Sequence, residues 1–122
     1  FHHMLGGTDP RYVKLCLDPH WIYRGSGNSQ VALFDAVRLY GSRVVEVHVR
    51  QSQGGVWSEV FGEGDLDYVR LVRELKRLRV RPHVVVEQAV EAGTPHSMPG
   101  ERAMRLSGER VRELFGEIGR VQ

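Results

Sequence analysis

Apolar and polar positions alternate along three short stretches of the chain, and each stretch is followed by apolar residues at helical spacing. The alternating stretches predict strands over 12–18, 44–50 and 82–88. The helical spacing predicts helices over 30–40, from a cap at Asp65 to about 78, and from about 101 to 115. Strands that alternate with helices are typical of parallel βαβ units, so the predicted fold class is α/β.

Parity along each predicted strand separates an aliphatic face from a mixed face. Side chains alternate across a strand, so every second residue shares a face. The aliphatic faces suit packing under helices and contain Val13, Leu15 and Leu17, then Val45, Val47 and Val49, then Val84 and Val86. The mixed faces contain Lys14, Cys16 and Asp18, then Val44, Glu46, His48 and Arg50, then His83, Val85 and Glu87. We interpret the deeper residues Lys14, Glu46 and His83 as a structural polar network.

Composition narrows the class of protein without identifying it. The chain has 122 residues, 41% hydrophobic and 26% charged, which corresponds to one ordinary globular domain. No apolar run approaches the roughly 20 residues of a membrane helix, and the single Cys16 cannot form an internal disulfide, so a cytoplasmic location is the default. A net charge of +2 does not indicate a nucleic-acid partner. The chain begins with Phe1, and the spacing of Phe1, Met4 and Leu5 is typical of a helix broken from a longer protein, whereas His2 and His3 also fit the remnant of a tag, so both interpretations stay open.

Asp18, His48 and Glu87 each fall at or near the carboxyl end of a predicted strand. Successive members are separated by about one strand-loop-helix repeat, so the three side chains are expected to converge where α/β barrels build their active sites. One imidazole and two carboxylates suit Mn²⁺, Mg²⁺, Co²⁺ or Zn²⁺. The alternative is three separate polar strand ends, and spacing alone leaves both interpretations open.

Four motifs in order resemble the sugar phosphate isomerase/epimerase family with the xylose isomerase-like TIM barrel. The resemblance extends over roughly Asp9 to Gln88, and the motifs read Leu15-Cys16-Leu17-Asp18, Glu46-Val47-His48-Val49-Arg50, Phe61-Gly62-Glu63-Gly64-Asp65-Leu66-Asp67 and Val84-Val85-Val86-Glu87-Gln88. The resemblance implies that residues 1–122 form one domain, the C-terminal three βα units of a (β/α)8 barrel, preceded by part of a helix.

The resemblance also implies an activity in carbohydrate metabolism. Members of this kind are metal-dependent isomerases or epimerases that move a proton between adjacent carbons of a sugar or sugar phosphate through an enediolate. By resemblance, Asp18, His48 and Glu87 are metal ligands and Glu87 is the catalytic acid/base. The family's further metal-binding Glu lies on an earlier strand that this sequence does not contain, so the chain alone is expected to be inactive.

The sequence departs from the family pattern where the substrate binds. Trp21 stands where the family often has a substrate-contacting His, and His20 comes one residue early. Arg50 is a candidate contact for a substrate oxygen or phosphate, or alternatively an ion-pair partner of a strand-end acid. Trp21 either walls a sugar pocket or packs within its loop. The complete set of predicted substrate-binding residues is His20, Trp21, Arg24, Arg50 and Trp57.

Two other functions stay open. The same superfamily contains metal-dependent endonucleases, and a basic cluster accompanies the second predicted helix, comprising Arg73, Lys76, Arg77, Arg79 and Arg81. A solvated helix surface explains that cluster better. Three parallel strands also leave open edges, so the chain is expected to pair with the missing barrel half or with another copy of itself, and a non-catalytic assembly module is the remaining alternative.

Overall fold

The computed structural model describes residues 1–121 and contains a parallel sheet covered by helices on one side. The strands are Leu15–Leu17 (β1), Val44–Val49 (β2), Ser52–Gln53 (β3), Val56–Trp57 (β4), His83–Val86 (β5) and Arg120–Val121 (β6). The helices are His2–Gly6 (α1), Pro19–Gly25 (α2), Gln30–Tyr40 (α3), Tyr68–Arg77 (α4) and Gly100–Phe115 (α5), with a 3₁₀ turn at Gly41–Arg43.

The main sheet has the strand order β1-β2-β5-β6, and every neighbouring pair is parallel. The predicted α/β class and the three predicted strands are therefore confirmed, although the strands are shorter than their alternating patterns. The sequence did not predict β6, because two residues are too few for alternation to be recognised. β3 and β4 form a separate antiparallel hairpin.

One face of the main sheet packs against the helices, and the other is open. Leu17, Val47, Val49 and Val84 have at most 1% exposure and join a core completed mainly by apolar residues of the helices. The open face carries the mixed residues, among them Cys16, which is exposed. The parity assignment is wrong at the first two residues of β2: Val44 is 3% exposed and Val45 is 44% exposed.

A bulge causes this reversal. Leu15 pairs with Val44 and the next residue, Cys16, pairs with Glu46, so Val45 is an extra residue in β2. From Glu46 onward the alternation is regular, with Val47 and Val49 buried against the helices.

The helices bury one apolar stripe each and leave some of their other apolar residues exposed. In α4 the buried residues are Tyr68, Leu71 and Leu75, and Val69 is 66% exposed because it lies on the other side of that stripe. Val31 in α3 is likewise 71% exposed, and in α1 only Leu5 is buried. Within residues 1–121, no helix combines the length and the apolar character needed to cross a lipid bilayer.

Two short elements lie in segments that the sequence indicated to be loops. Helix α2 begins directly after Asp18, whose Oδ1 accepts a hydrogen bond from Trp21 N at 3.1 Å, and Pro19 occupies its first turn. The hairpin β3–β4 lies in the predicted long loop after β2. The N-cap of α4 is Asp67 rather than the predicted Asp65, because Asp65 uses its carboxylate to bind the hairpin.

Candidate metal centre

The carboxyl ends of β1, β2 and β5 bring Asp18, His48 and Glu87 together. Asp18 follows β1, His48 is the next-to-last residue of β2, and Glu87 follows β5. One ligand atom from each residue lies within 4.8 Å of those of the other two. Adjacent parallel strands account for this, because their ends meet at one edge of the sheet. Two carboxylates and an imidazole at these separations fit a divalent cation.

Arg50 lies among the three candidate ligands. Its Nη2 donates to Asp18 Oδ2 at 2.8 Å and also to Glu87 Oε2. The Arg50 side chain is 6% exposed, and its Nε has no hydrogen-bond partner among the described residues. Of the two roles open for Arg50 in the sequence, the structure contains the ion pair with strand-end acids. The positive guanidinium offsets the negative charge of these two carboxylates, which a bound cation would otherwise offset.

His48 has a carboxylate at each ring nitrogen. Nδ1 lies 2.9 Å from Glu87 Oε2, and Nε2 lies 2.9 Å from Glu46 Oε1. Partial burial of the ring lowers the pKa of His48, but the hydrogen bonds to Glu46 and Glu87 outweigh it and leave the pKa above its ordinary value. The hydrogen bond from His48 in turn lowers the pKa of Glu46.

Cys16 and Glu46 extend the polar cluster along the open face. Cys16 Sγ donates to Glu46 Oε1 at 3.5 Å. Burial and that hydrogen bond raise the pKa of the Cys16 thiol to about 11. The expected structural network of Lys14, Glu46 and His83 is not formed, because Lys14 and His83 are exposed and the Lys14 ammonium donates to a local carbonyl. Glu46 contacts the candidate metal ligand His48 instead.

An aromatic and cationic layer borders the candidate metal centre. Trp57 is buried, and the Arg24 guanidinium stacks 3.5 Å from the centroid of its ring. Arg24 also pairs with Glu91 at 3.2 Å, which ties α2 to the loop after β5. Trp21 is 54% exposed, meets Trp57 edge-on at 5.8 Å and lies 5.2 Å from the Arg50 guanidinium. Of the predicted substrate-binding residues, Arg50 contacts the candidate ligands directly. The rings of Trp21 and Trp57 lie 5.2 and 5.6 Å from its guanidinium, and Arg24 holds loops together.

His20 is buried away from solvent. Its Nε2 lies 3.0 Å from Ser52 Oγ, which donates to Asp65 Oδ2 at 2.7 Å. Asp65 also accepts from the backbone amides of Gly54 and Gly55 and so fixes the turn of the hairpin. Burial lowers the pKa of His20 to about 4, with a further contribution from the Arg24 charge. The buried position does not suit direct substrate contact.

Two glutamines hold the loops that follow β2 and β5. The Gln51 side chain donates to the carbonyls of Gly62 and Leu66 and accepts from the amides of Ser52 and Leu66. The Gln88 side chain accepts from Gln51 N and donates to Gln51 O and to Ser58 O. These roles, and that of Ser52, were not predicted from the sequence. The available signal was a glutamine two residues past the end of each strand, where an amide can satisfy loop backbone groups.

A groove of about 1100 Å³ lies elsewhere, between the loop 61–69 and α5. Its described lining includes Glu63, Asp67, Arg110 and Glu113, and it contains none of the three candidate ligands. The chemistry-bearing residues are thus on the open sheet face rather than in this groove.

Comparison with known proteins gives no relative: no protein-family model, no curated protein and no solved structure matches the chain.

Proposed function

We propose that the chain is the C-terminal part of a xylose isomerase-like (β/α)8 barrel and contributes to a divalent-metal-dependent sugar or sugar phosphate isomerase or epimerase. The convergence of Asp18, His48 and Glu87 within 4.8 Å is the observation that supports it. The parallel strands with helices on one side are compatible with consecutive βα units of such a barrel.

The candidate ligands supply two hard oxygens and one imidazole nitrogen, a set suited to Mn²⁺, Mg²⁺, Co²⁺ or Zn²⁺. Such a cation, when bound, polarises carbonyl and hydroxyl oxygens of a substrate. Binding requires Arg50 to release the carboxylates of Asp18 and Glu87, or to share them. The guanidinium is then free to donate to a substrate oxygen or phosphate.

Glu87 is the residue placed to move a proton. Its side chain is 48% exposed on the open side of the sheet, so a substrate carbon can approach it. A carboxylate acting as acid/base moves the proton between adjacent carbons of the substrate. Trp21, also exposed beside Arg50, supplies an apolar surface for a sugar ring. The partners under this proposal are the small-molecule sugar and the strands that complete the barrel, and a cytoplasmic location stays a prediction.

Mn²⁺ titration by calorimetry tests the metal centre without a choice of substrate. We expect the folded chain to bind Mn²⁺, and Asp18→Asn and His48→Gln to weaken binding at least about tenfold, because each removes one donor. Asp35→Asn is the matched control, since this exposed carboxylate lies on α3 and, within residues 1–121, pairs only with Arg38, at 3.6 Å. A well-folded chain that binds no divalent cation, or that binds it equally in all variants, contradicts the proposal.

A non-catalytic assembly module is the second candidate. The open sheet face and the free side of β1 are the observations that favour it, since exposed strand edges and faces invite partners. The endonuclease alternative has less support. In its basic cluster Lys76 pairs with Glu117 and Arg77 with Glu74. Lys76 and Arg77 lie at the end of α4 rather than at the carboxyl ends of the strands.

A further inference from the structure

The open face carries a second set of metal-ligand atoms, displaced along the strands from the first. Cys16 Sγ, a carboxylate oxygen of Glu46 and a ring nitrogen of His48 lie within 4.8 Å of one another. Cys16 and Glu46 are paired residues of β1 and β2, and Glu46 and His48 are two apart on one strand, so backbone pairing fixes all three on the same face.

We propose that Cys16, Glu46 and the Nε2 atom of His48 form a second site, which shares His48 with the first, for a thiophilic divalent cation such as Zn²⁺ or Cd²⁺. It does not depend on the proposed isomerase or epimerase function. A sulfur ligand distinguishes it chemically from the oxygen-rich set around Asp18, because thiolate favours softer cations over Mg²⁺ and Mn²⁺.

Two of the three ligand separations are close to those around a tetrahedral ion, and the third, between Cys16 and His48, is within 4.8 Å. Zn–S and Zn–O bonds of about 2.3 and 2.0 Å place sulfur and oxygen ligands roughly 3.5 Å apart. Cys16 Sγ and Glu46 Oε1 are 3.5 Å apart. Glu46 Oε1 and His48 Nε2 are 2.9 Å apart, and tetrahedral Zn–O and Zn–N bonds require roughly 3.3 Å, so only a small side-chain movement is needed. One thiolate and one carboxylate also neutralise the charge of a divalent ion.

The second nitrogen of His48 supports ligation at Nε2. Metal-binding imidazoles usually donate their other N–H to a carboxylate, which fixes the tautomer and the ring orientation. Glu87 Oε2 lies 2.9 Å from Nδ1 and provides that acceptor. A cation bound near Asp18 and Glu87 requires the opposite arrangement, with Nδ1 as the ligand and Glu46 accepting from Nε2. A neutral imidazole serves one arrangement at a time, so the two cations compete for His48.

Cobalt absorption tests the site directly. Thiolate-bound Co²⁺ has an intense near-ultraviolet charge-transfer band that oxygen and nitrogen ligands do not give. In degassed buffer with the Cys16 thiol reduced, we expect Co²⁺ to produce this band in the wild-type chain and in Asp18→Asn. We expect Cys16→Ser to abolish it and Glu46→Gln to weaken Co²⁺ binding at least about tenfold. Co²⁺ bound by the wild-type chain without the band overturns the proposal.

Alkylation of the thiol gives a second readout. Zn²⁺ is expected to slow the reaction of Cys16 with iodoacetamide, as followed by intact mass, while Mg²⁺ at the same concentration leaves the rate unchanged. Asp18→Asn should retain the Zn²⁺ protection and Glu46→Gln should lose it. Equal rates with and without Zn²⁺ overturn the thiolate site, whereas loss of Mn²⁺ binding in Asp18→Asn concerns only the proposed function.

Discussion

The imidazole of His20 has 0% exposure, and among the described residues its Nδ1 has no hydrogen-bond partner. Its Nε2 faces a serine hydroxyl that already donates to Asp65, so the neutral ring donates there. A charged ring in this position loses hydration without gaining an acceptor at Nδ1. The folded protein therefore favours the neutral form.

We predict that His20 makes the fold sensitive to acid. Its pKa is about 4 in the folded chain and ordinarily about 6.5, so the unfolded chain takes up the proton first. Stability is complete above pH 6.5 and falls between pH 6.5 and 4, by about 3 kcal/mol from this group. Urea unfolding at pH values across this range measures the loss of stability. His20→Gln should flatten this part of the pH profile, and an unchanged slope in the variant contradicts the assignment.

Gly64 provides a second residue-scale prediction. A Cβ at this position would lie 2.2 Å from the carbonyl oxygen of Ser52 and 2.6 Å from Gln51 Cγ. Neither neighbour can retreat easily, since both belong to the hydrogen-bonded loop after β2. Gly64→Ala is expected to lower the free energy of unfolding by roughly 2–3 kcal/mol.

Gly62→Ala is the matched control in the same loop. Its added Cβ would meet Arg110 Nη1 at 2.5 Å, the far end of a flexible side chain that can move. The expected loss is below about 1 kcal/mol. Equal losses for the two variants, measured by urea unfolding, would contradict the close-approach argument for Gly64.

At the scale of elements, Asp65 and Asp67 have different tasks, and the capping predicted for Asp65 is performed by Asp67. Asp67 accepts from Arg70 N at 2.8 Å and caps α4. Asp65 holds the hairpin through Ser52, Gly54 and Gly55. Both aspartates precede an amphipathic segment, so spacing alone did not distinguish them.

We expect Asp67→Ala to cost about 1 kcal/mol, the usual loss for an N-cap. Asp65→Ala should cost more, roughly 2 kcal/mol, because it leaves the Ser52 hydroxyl, in a residue of 0% exposure, without its acceptor. Amide hydrogen exchange separates the effects: Asp67→Ala speeds exchange at the start of α4, and Asp65→Ala speeds it at Gly54 and Gly55. Faster exchange at the start of α4 in Asp65→Ala, rather than in Asp67→Ala, would instead indicate that Asp65 is the N-cap.

The longer elements were predictable and the shorter ones were not, for a physical reason. α3, α4 and α5 each carry an apolar stripe that packs on the sheet, and such a stripe is visible in the sequence. α2 and the hairpin β3–β4 depend instead on distant partners, such as the contact of Arg24 with Glu91. The proximity of Asp18, His48 and Glu87 was predictable, because each lies at or next to the carboxyl end of a strand. The position of Arg50 among them, and the contact of Cys16 with Glu46, depend on side-chain orientations that alternation does not specify.

At the scale of the whole molecule, the two sides of the main sheet differ in what covers them and in the side chains they carry. Helices cover one side, whereas the other presents Cys16, Glu46, His48 and Glu87. Parallel sheets are ordinarily covered on both faces or closed into a barrel. We therefore expect the open face of the sheet to bind a second layer of protein.

We predict that the isolated chain self-associates through the open side of its sheet. Light scattering after size-exclusion chromatography should give a mass above 13.9 kDa that falls on dilution. Val45→Lys, which adds a charge to a half-exposed position of β2, should reduce the association. Val69→Lys, on the outer surface of α4, is the control and should not. A mass of 13.9 kDa at every concentration contradicts the prediction.

The bulge at Val45 has a consequence for how the chain tolerates changes in length. Without Val45, Val44 would directly precede Glu46, and the strand would alternate regularly with Val44 and Val47 toward the helices and Glu46 and His48 on the open face. A deletion of one residue here therefore keeps every ligand atom on its side of the sheet. The same deletion between Glu46 and His48 turns the imidazole into the core. Sequences of different length before Glu46 are thus compatible with one and the same arrangement of donors.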